Sequence, residues 1–135
     1  MRLAIVGSRD FTRLDLVRAY VAALPSDTTV VSGHARGVDR EAEEAARACG
    51  LTVESYPADW ARHGNSAGVE RNKAMLSTVD RAVVFWDGRS PGSRHAIEFC
   101  RMREIDTLVR IDPCPYVEAI EFCRRIGARV EVLTV

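Results

Sequence analysis

The sequence predicts a single α/β domain of three layers, in which helices cover both faces of a mainly parallel sheet. Short apolar segments alternate with segments of helical period along the chain, and this alternation is typical of parallel sheets. The first apolar segment lacks alternating polar residues, as in strands that are covered on both faces. The 135 residues are enough for one such domain, without a metal or a disulfide to stabilise it.

The first half of the chain contains three predicted strands and two predicted helices. Residues 2–6 are nearly all apolar and predict a central strand. Leu14, Val17 and Val21 recur at helical spacing, and Pro25 ends that helix. The remaining elements of this half are a strand at 28–32, a helix at 38–49 that Gly50 ends, and a strand at 51–56 that Pro57 closes.

The second half begins with residues 58–66, which lack periodicity and predict an ordered loop beside the site. Residues 81–86 contain an apolar run that predicts a fourth strand, and residues 87–93 form the polar loop after it. The remaining predicted elements are helices at 67–77, 94–103 and 116–126 and strands at 107–111 and 129–135.

The carboxyl-terminal part of the chain repeats a short sequence. Residues 96–101 and residues 119–124 both read Ala-Ile-Glu-Phe-Cys-Arg, which indicates duplication of a helix–strand unit. The second copy lacks the glycine loop that precedes the first, so we assign it a structural role. We therefore expect a ligand-binding core at 1–111 and a helix–strand extension at 112–135 that packs on the same domain.

Composition excludes several classes of function. The formal net charge is zero, whereas general nucleic-acid binders usually carry a basic surface. No apolar run reaches membrane-spanning length and no signal peptide precedes the first strand, so we expect a cytoplasmic protein without a membrane partner. No paired metal-ligand spacing is found among the cysteines, and we expect neither a metal nor a required cofactor. The cysteines are Cys49, Cys100, Cys114 and Cys123.

Polar loops that contain glycine follow three of the predicted strands, at 7–9, 33–37 and 87–93. Because the carboxyl ends of parallel strands share one edge, we expect these loops to converge there and to bind an anion through backbone N–H groups. The guanidinium of Arg36 suits phosphate. The expected ligand-binding residues are Gly7, Ser8, Arg9, Ser32, Gly33, His34, Arg36, Gly37, Asp39, Arg71, Asn72, Asp87, Gly88, Gly92, Ser93 and Arg94.

Several of these residues have a second interpretation. Any strand-to-helix turn favours glycine, so one such loop is weak support for a site. His34 either contacts ligand or tolerates an unusual backbone angle. For Asp39 the favoured interpretation is that it caps the start of the helix at 38–49. Asp87 either binds a ribose hydroxyl or caps the following loop. Trp60 and Trp86 can each stack a base, and the alternative for Trp86, which ends a strand, is a place in the core.

These loops belong to a larger set of motifs. The set comprises residues 6–11 (Val-Gly-Ser-Arg-Asp-Phe), 32–39, 57–60 (Pro-Ala-Asp-Trp), 67–72 and 85–88 with 92–95. Over residues 2–111 the chain resembles the YspA-like family of the SLOG superfamily, a Rossmann-like group of domains that bind nucleotide-related ligands. The family usually has glycine where His34 stands and threonine where Ser93 stands.

The resemblance implies binding or sensing of a nucleotide or a nucleotide-derived phosphorylated ligand. The superfamily also contains LOG phosphoribohydrolases, so the alternative is an N-glycosidic hydrolase acting on a nucleoside monophosphate or an ADP-ribose-like substrate. Residues 70–75 keep the arginine of those enzymes, but Ala96 stands where they have a catalytic glutamate. If the chain is an enzyme, the expected catalytic residues are Glu70, Arg71, Asp87 and His95.

The expected partner is therefore a small nucleotide-like molecule. The superfamily includes DprA-type proteins that bind single-stranded DNA, but the neutral charge of this chain does not favour nucleic acid. Self-association remains open, because edge strands and the carboxyl-terminal extension need to be covered.

Overall fold

The computed structural model describes residues 1–112 and 117–133. Within this part of the chain one sheet has six strands, all parallel, in the order β3-β2-β1-β4-β5-β6. The predicted fold class, an α/β domain built on a parallel sheet, is confirmed. The strands are β1 (Arg2–Gly7), β2 (Thr29–Ser32), β3 (Thr52–Ser55), β4 (Arg81–Trp86), β5 (Asp106–Ile111) and β6 (Arg129–Val132).

Helices pack on both faces of this sheet. On one face α1 and α2 contribute residues such as Val17 and Ala42 to a core with Leu3 and Ile5 of β1. On the other face α4, α5 and α6 pack against Ala4 and its neighbours. The helices are α1 (Leu14–Ala22), α2 (Val38–Ala48), α3 (Trp60–His63), α4 (Ala67–Leu76), α5 (Pro91–Met102) and α6 (Val117–Arg125), with a 3₁₀ turn at Gly64–Ser66.

Strand β1 is buried on both faces because it lies between β2 and β4 at the centre of the sheet. Its alternate residues enter different cores, Leu3 and Ile5 on the α1/α2 side and Ala4 and Val6 on the other. All four side chains are at most 6% exposed. This explains why the strand reads as a continuous apolar run.

The sequence of connections creates a switch point between β1 and β4. From β1 the chain proceeds through β2 to β3 at one edge, whereas from β4 it proceeds through β5 to β6 at the other. Loops that leave β1 and β4 therefore diverge onto opposite faces and open a crevice at the carboxyl ends of these two strands. In open parallel sheets, ligands bind at such crevices.

Two predicted boundaries are wrong near this crevice. Helix α5 begins at Pro91 and not at 94, so Gly92 and Ser93 lie in its first turn and not in a loop. Proline is favoured at the first helical position, where its missing N–H has no intrahelical partner. Residues 58–66 are not a loop, because α3 and the 3₁₀ turn occupy 60–66. Each is too short to show a helical period.

The repeated sequence forms equivalent parts of α5 and α6. Cys100 and Cys123 are fully buried in the same core, and burial raises the pKa of both thiols to about 11. The Phe122 ring packs edge-on against Trp86, with centroids 6.1 Å apart. The predicted ends of the last helix and strand fall on Tyr116 and on residues 134–135, which lie outside the described residues.

No helix in the described ranges has both the length and the apolar character that a membrane span requires.

Candidate functional site

A cleft of about 470 Å³ opens at the carboxyl ends of β1 and β4. Its walls come from the loop after β1, the first turns of α5, and the segment from α3 into α4. The residues that line it are Val6, Gly7, Ser8, Arg9, Asp10, Ala35, Asp39, Trp60, Asn65, Gly68, Val69, Arg71, Asn72, Asp87, Ser90, Pro91, Gly92, Ser93, His95 and Ala96.

Three serine hydroxyl groups meet where the loops after β1 and β4 approach each other. Ser8 Oγ lies 2.6 Å from Ser90 Oγ and 3.5 Å from Ser93 Oγ. Ser8 Oγ also accepts a hydrogen bond from the backbone N–H of Asp87 at 3.0 Å. Ser8 is 1% exposed, so these bonds fix the relative position of the two loops. The cluster gives this end of the cleft hydroxyl groups that can donate to an anion.

The first turn of α5 adds positive potential to the same wall. Pro91 occupies the first helical turn, and the side chain of the N-cap residue Ser90 makes no capping bond. By helical geometry the N–H groups of Gly92 and Ser93 have no intrahelical acceptor. The amino-terminal end of a helix of this length is therefore suited to bind an anion.

Asp87 caps the loop between β4 and α5, as one of its two interpretations predicts. Its Oδ1 accepts hydrogen bonds from the N–H groups of Arg89 and Ser90, each at 2.8 Å. Burial by itself would raise the pKa of this carboxyl group, but these backbone bonds lower it overall. Asp87 is thus held as a carboxylate by the loop that it organises.

Two arginines bring positive charge to the cleft. Arg9 is exposed, and no carboxylate in the described part of the chain pairs with it. Arg71 is partly buried. Its Nη1 donates to the carbonyl oxygen of Gly33 at 2.6 Å, and its Nε donates to Asn72 Oδ1 at 2.9 Å. Burial lowers the pKa of Arg71, an effect that nearby Arg9 increases and Asp39 opposes. Guanidinium groups in this setting are suited to phosphate or carboxylate.

Asp39 does not cap the start of α2, contrary to the sequence-based interpretation. Its carboxylate leaves the helix and accepts hydrogen bonds from the backbone N–H of Gly7 at 3.2 Å and of Ala35 at 3.3 Å. Asp39 is 3% exposed, and burial raises its pKa to about 6 despite the nearby guanidinium of Arg71. Asp39 therefore links the loops after β1 and β2 beneath the cleft and titrates near neutral pH.

The glycines of the second loop make room for protein groups. A Cβ at Gly33 would lie 2.6 Å from Nη1 of Arg71 and 2.8 Å from Oδ2 of Asp39. Gly37 has a φ of +84°, and a Cβ there would collide with the backbone carbonyl of Arg9. Both positions need glycine so that Arg71, Asp39 and the β1 loop can pack together.

A hydrogen-bonded series connects α4 to α5. The Nδ2 of Asn72 donates to the carbonyl oxygen of Gly92 at 3.3 Å and lies 3.2 Å from Nδ1 of His95. Since an amide nitrogen only donates, Nδ1 of His95 accepts and its proton is assigned to Nε2. Burial lowers the pKa of His95, which favours this neutral form.

Other predicted site residues lie outside the cleft lining. Arg36 pairs with Asp10 at 2.9 Å, and both side chains are exposed. Arg94 pairs with Glu98 at 3.2 Å and lies over the Phe122 ring, so it binds α6 and not the cleft. Gly88 has a φ of +83° within the loop that Asp87 caps. These placements do not test ligand binding by these residues.

His34 and Ser32 belong to a second polar cluster, centred on Glu43. His34 has a φ of +60°, which confirms the interpretation that it adopts an unusual backbone angle. Its Nδ1 lies 3.1 Å from Oε1 of Glu43, whose carboxylate is also bonded by the hydroxyls of Ser32 and Ser55. Glu43 is 1% exposed. The cluster holds the loop after β2 against α2 and β3.

Of the four residues expected to act in catalysis, Glu70 does not reach the cleft. Its carboxylate lies 3.7 Å from Nζ of Lys73 along α4. Arg71, Asp87 and His95 line the cleft. Ala96 also lines it, and its methyl side chain has no group for acid–base chemistry.

Sequence reasoning missed part of the lining: Asp10, Ala35, Asn65, Gly68, Val69, Ser90 and Pro91. Two signals in the chain could have found some of these residues. Ser90-Pro91 is a typical helix start, with serine at the N-cap and proline at the first helical position. The side chain of Asp59 accepts from the N–H of Arg62 at 3.1 Å, a capping pattern that could have located α3.

Comparison with protein families and solved structures gives consistent results. Residues 1–63 match the model of the YspA, cpYpsA-related SLOG family. The chain is 36% identical over 106 residues to the Gene 61 protein of Mycobacterium phage D29, and the match covers 71% of this chain and 85% of the phage protein.

Three solved structures share the fold. DNA processing protein A of Streptococcus pneumoniae superposes with a TM-score of 0.73 and 19% identity, over 96% of this chain and 58% of that chain. DNA processing protein A of Helicobacter pylori superposes with a TM-score of 0.69 and 18% identity, over 96% of this chain and 74% of that chain. The molybdenum cofactor binding protein of Rippkaea orientalis superposes with a TM-score of 0.73 and 14% identity, over 98% of this chain and 88% of that chain.

At these identities the three structures establish a shared fold and nothing finer. The chain spans less than two thirds of the pneumococcal protein, so that protein extends beyond the shared domain. The family assignment rests on sequence. The family match covers the β1 loop and the loop after β2, and the phage relative is 36% identical over 85% of its own length. The chain belongs to the YspA, cpYpsA-related SLOG family.

Proposed function

We propose that this chain binds a nucleotide or a nucleotide-derived phosphorylated ligand in the cleft between β1 and β4. One observation carries the proposal. Arg9 and Arg71, the serine cluster of Ser8, Ser90 and Ser93, and the first turn of α5 all line the same cleft. Guanidinium groups, hydroxyl groups and free helical N–H groups together form a site for phosphate.

The balance of charge in the cleft also supports an anionic ligand. Asp10 pairs with Arg36, and the carboxylate of Asp87 is bonded to two backbone N–H groups. Asp39, whose pKa burial raises to about 6, is mostly ionised at neutral pH and offsets the charge of Arg71. Arg9 has no carboxylate partner in the described residues. A phosphate can pair with the Arg9 guanidinium.

The experiment is a calorimetric titration with AMP and with adenosine. We expect AMP to bind at least about 10-fold more tightly than adenosine, because a hydrogen bond to a charged group contributes about 1.5–3 kcal/mol. Arg9→Ala is expected to remove most of this difference. The matched control is Arg18→Ala, which removes an arginine that pairs with Glu41 on α1 and α2, away from the cleft. Equal affinity for AMP and adenosine would contradict the proposal.

Nucleic acid is a separate class of ligand to test, since the Helicobacter pylori protein of the same fold binds single-stranded DNA. If this chain bound single strands, the logarithm of affinity would fall steeply and linearly with the logarithm of salt concentration. We expect no such binding, because the chain carries no net charge. Titration of a fluorescent oligonucleotide at two salt concentrations checks this expectation.

A second candidate function is N-glycosidic hydrolysis, and Asp39 and His95 favour it. The pKa of Asp39 is about 6, and His95 is held neutral in the same cleft. A carboxyl group with a pKa near the working pH and a neutral imidazole are suited to general acid–base catalysis. Cleavage of a ribosyl bond also builds positive charge on the sugar, which a carboxylate stabilises.

Release of free base from AMP or ADP-ribose, followed by liquid chromatography, tests this second function. If it is correct, Asp39→Asn abolishes release, whereas Glu70→Gln leaves it unchanged because Glu70 lies outside the cleft lining and contacts Lys73. Absence of base release by the wild-type chain over a long incubation would leave ligand binding as the function.

A further inference from the structure

The two tryptophans of the chain occupy opposite environments. Trp86 is 2% exposed, and its Nε1 donates to the carbonyl oxygen of Ser90 at 3.1 Å. Trp60 is 53% exposed and lines the cleft. An indole has a large apolar surface, and leaving it in water forgoes the free energy of burial. Trp60 is therefore available for a ligand in the cleft.

The segment that carries Trp60 is ordered by local bonds and not by core packing. All residues from 60 to 66 are exposed. The side chain of Asp59 accepts from the N–H of Arg62 at 3.1 Å, and Ser66 Oγ donates to the carbonyl oxygen of His63 at 2.9 Å. These bonds fix the helical turn that presents the indole. An ordered backbone turn loses little conformational freedom when a ligand binds against it.

Two neighbours extend this apolar wall and give it a polar edge. Val69 on α4 also lines the cleft and is 36% exposed, so it adds apolar surface to the same cleft. The side-chain amide of Asn65 also lines the cleft and has no hydrogen-bond partner in the described part of the chain. An amide offers one acceptor and two donors, which matches the edge of a nucleobase.

We infer that Trp60 and Val69 form a nucleobase subsite, so that the ligand is a nucleoside phosphate and not a sugar phosphate. The inference rests on the proposed binding of phosphate in the same cleft. Apart from Arg71 on α4, the phosphate-binding groups belong to the β1 loop and the start of α5, whereas the apolar groups belong to α3 and α4. A ligand with an anionic end and a flat aromatic end can bind both sets of groups. Stacking on an aromatic side chain is tolerant of base identity, and the Asn65 amide adds selectivity.

The test compares AMP with ribose 5-phosphate on the wild-type chain and two variants. AMP is expected to bind about 10- to 100-fold more tightly than ribose 5-phosphate, the range that stacking of one base supplies. Trp60→Ala should reduce AMP affinity by that factor and change ribose 5-phosphate affinity less than about 2-fold. Trp60→Phe keeps a ring and should retain most of the AMP affinity.

Intrinsic fluorescence gives an independent readout. AMP should quench the emission of wild-type Trp60, whereas in Trp60→Phe the remaining emission comes from buried Trp86 and should not change. If AMP and ribose 5-phosphate bind equally and Trp60→Ala changes neither affinity, the base subsite is refuted while phosphate binding stands. If neither compound binds, the proposed function fails, and the subsite fails with it.

Discussion

Nη1 of Arg71 donates a hydrogen bond to the carbonyl oxygen of Gly33 at 2.6 Å, and this bond joins α4 to the loop after β2. The two residues are far apart in sequence, and each lies beside the carboxylate of Asp39. Through Asp39 the same group reaches the backbone of Gly7 at the end of β1. Arg71, Gly33 and Asp39 thus form the floor that holds the loops of the cleft together.

The floor predicts that Gly33→Ala destabilises the chain. The added methyl group would lie 2.6 Å from Nη1 of Arg71 and 2.8 Å from Oδ2 of Asp39, so one or both must move. We expect a loss of about 1–3 kcal/mol in the free energy of unfolding, typical of overpacking. Urea denaturation measures it. Gly92→Ala is the control, because a methyl group added there would have no atom within 4 Å; an equal loss in that variant would contradict the explanation.

The serine cluster predicts a cost for Ser8→Ala. Without Ser8 Oγ the backbone N–H of Asp87 loses its acceptor in a buried position, which costs about 1–3 kcal/mol. Ser77→Ala removes an exposed hydroxyl that bonds only the carbonyl oxygen of Lys73, and surface changes of this kind stay within about 0.5 kcal/mol. The two variants are compared by thermal or urea unfolding. Equal stability of both would show that Ser8 does not hold the loops.

His34 predicts opposite effects for two small residues. Alanine would keep the strained φ of +60° and lose the bond to Glu43, whereas glycine would lose the bond but relieve the strain. His34→Gly should therefore be more stable than His34→Ala by about 1 kcal/mol, the usual cost of the left-handed region for a residue with a Cβ. Urea denaturation of the pair measures the difference. If His34→Gly is no more stable than His34→Ala, the backbone at this position is not strained.

Asp39 predicts a specific pH dependence of stability. Its pKa is about 6 in the folded chain and about 3.9 in unfolded peptides, so the folded state binds an extra proton between these values. The free energy of unfolding therefore falls as pH rises from 4 through 6, and this stability is lost above the folded pKa.

Asp39→Asn removes this titration and serves as the reference. Relative to that variant, the wild type should lose about 2–3 kcal/mol of unfolding free energy between pH 4 and pH 8. Urea denaturation at several pH values gives both profiles. Parallel profiles for the two chains would mean that Asp39 titrates normally in the folded state.

The sheet can be predicted from the sequence because apolar runs such as residues 81–86 report burial on both faces. The loops after β1 and β4 can also be located, since Ser8 and Arg9 follow the end of β1 and Asp87 follows the end of β4. The start of α5 is misplaced when Pro91 is not treated as a first helical residue. Short-range rules of this kind are sufficient to correct that error.

The roles of Asp39, Arg71 and Arg36 could not be predicted in the same way. The carboxylate of Asp39 accepts from the N–H groups of Gly7 and Ala35 and does not cap α2. These partners depend on packing between distant segments. Arg36 is suited to phosphate by its chemistry, but its partner Asp10 comes from another loop. Local pattern shows which residues lie near the strand ends, and tertiary contact decides which of them face the cleft.

The central claim is that the cleft between β1 and β4 binds a phosphorylated ligand at the first turn of α5. Mapping of backbone amide chemical shifts during titration of the isotope-labelled chain with AMP tests it most directly. We expect saturable shifts at Ser8, Arg9, Gly92 and Ser93, and none along β6 at the far edge of the sheet. Saturable shifts confined to residues outside the cleft, or no shifts at millimolar AMP, would contradict the claim.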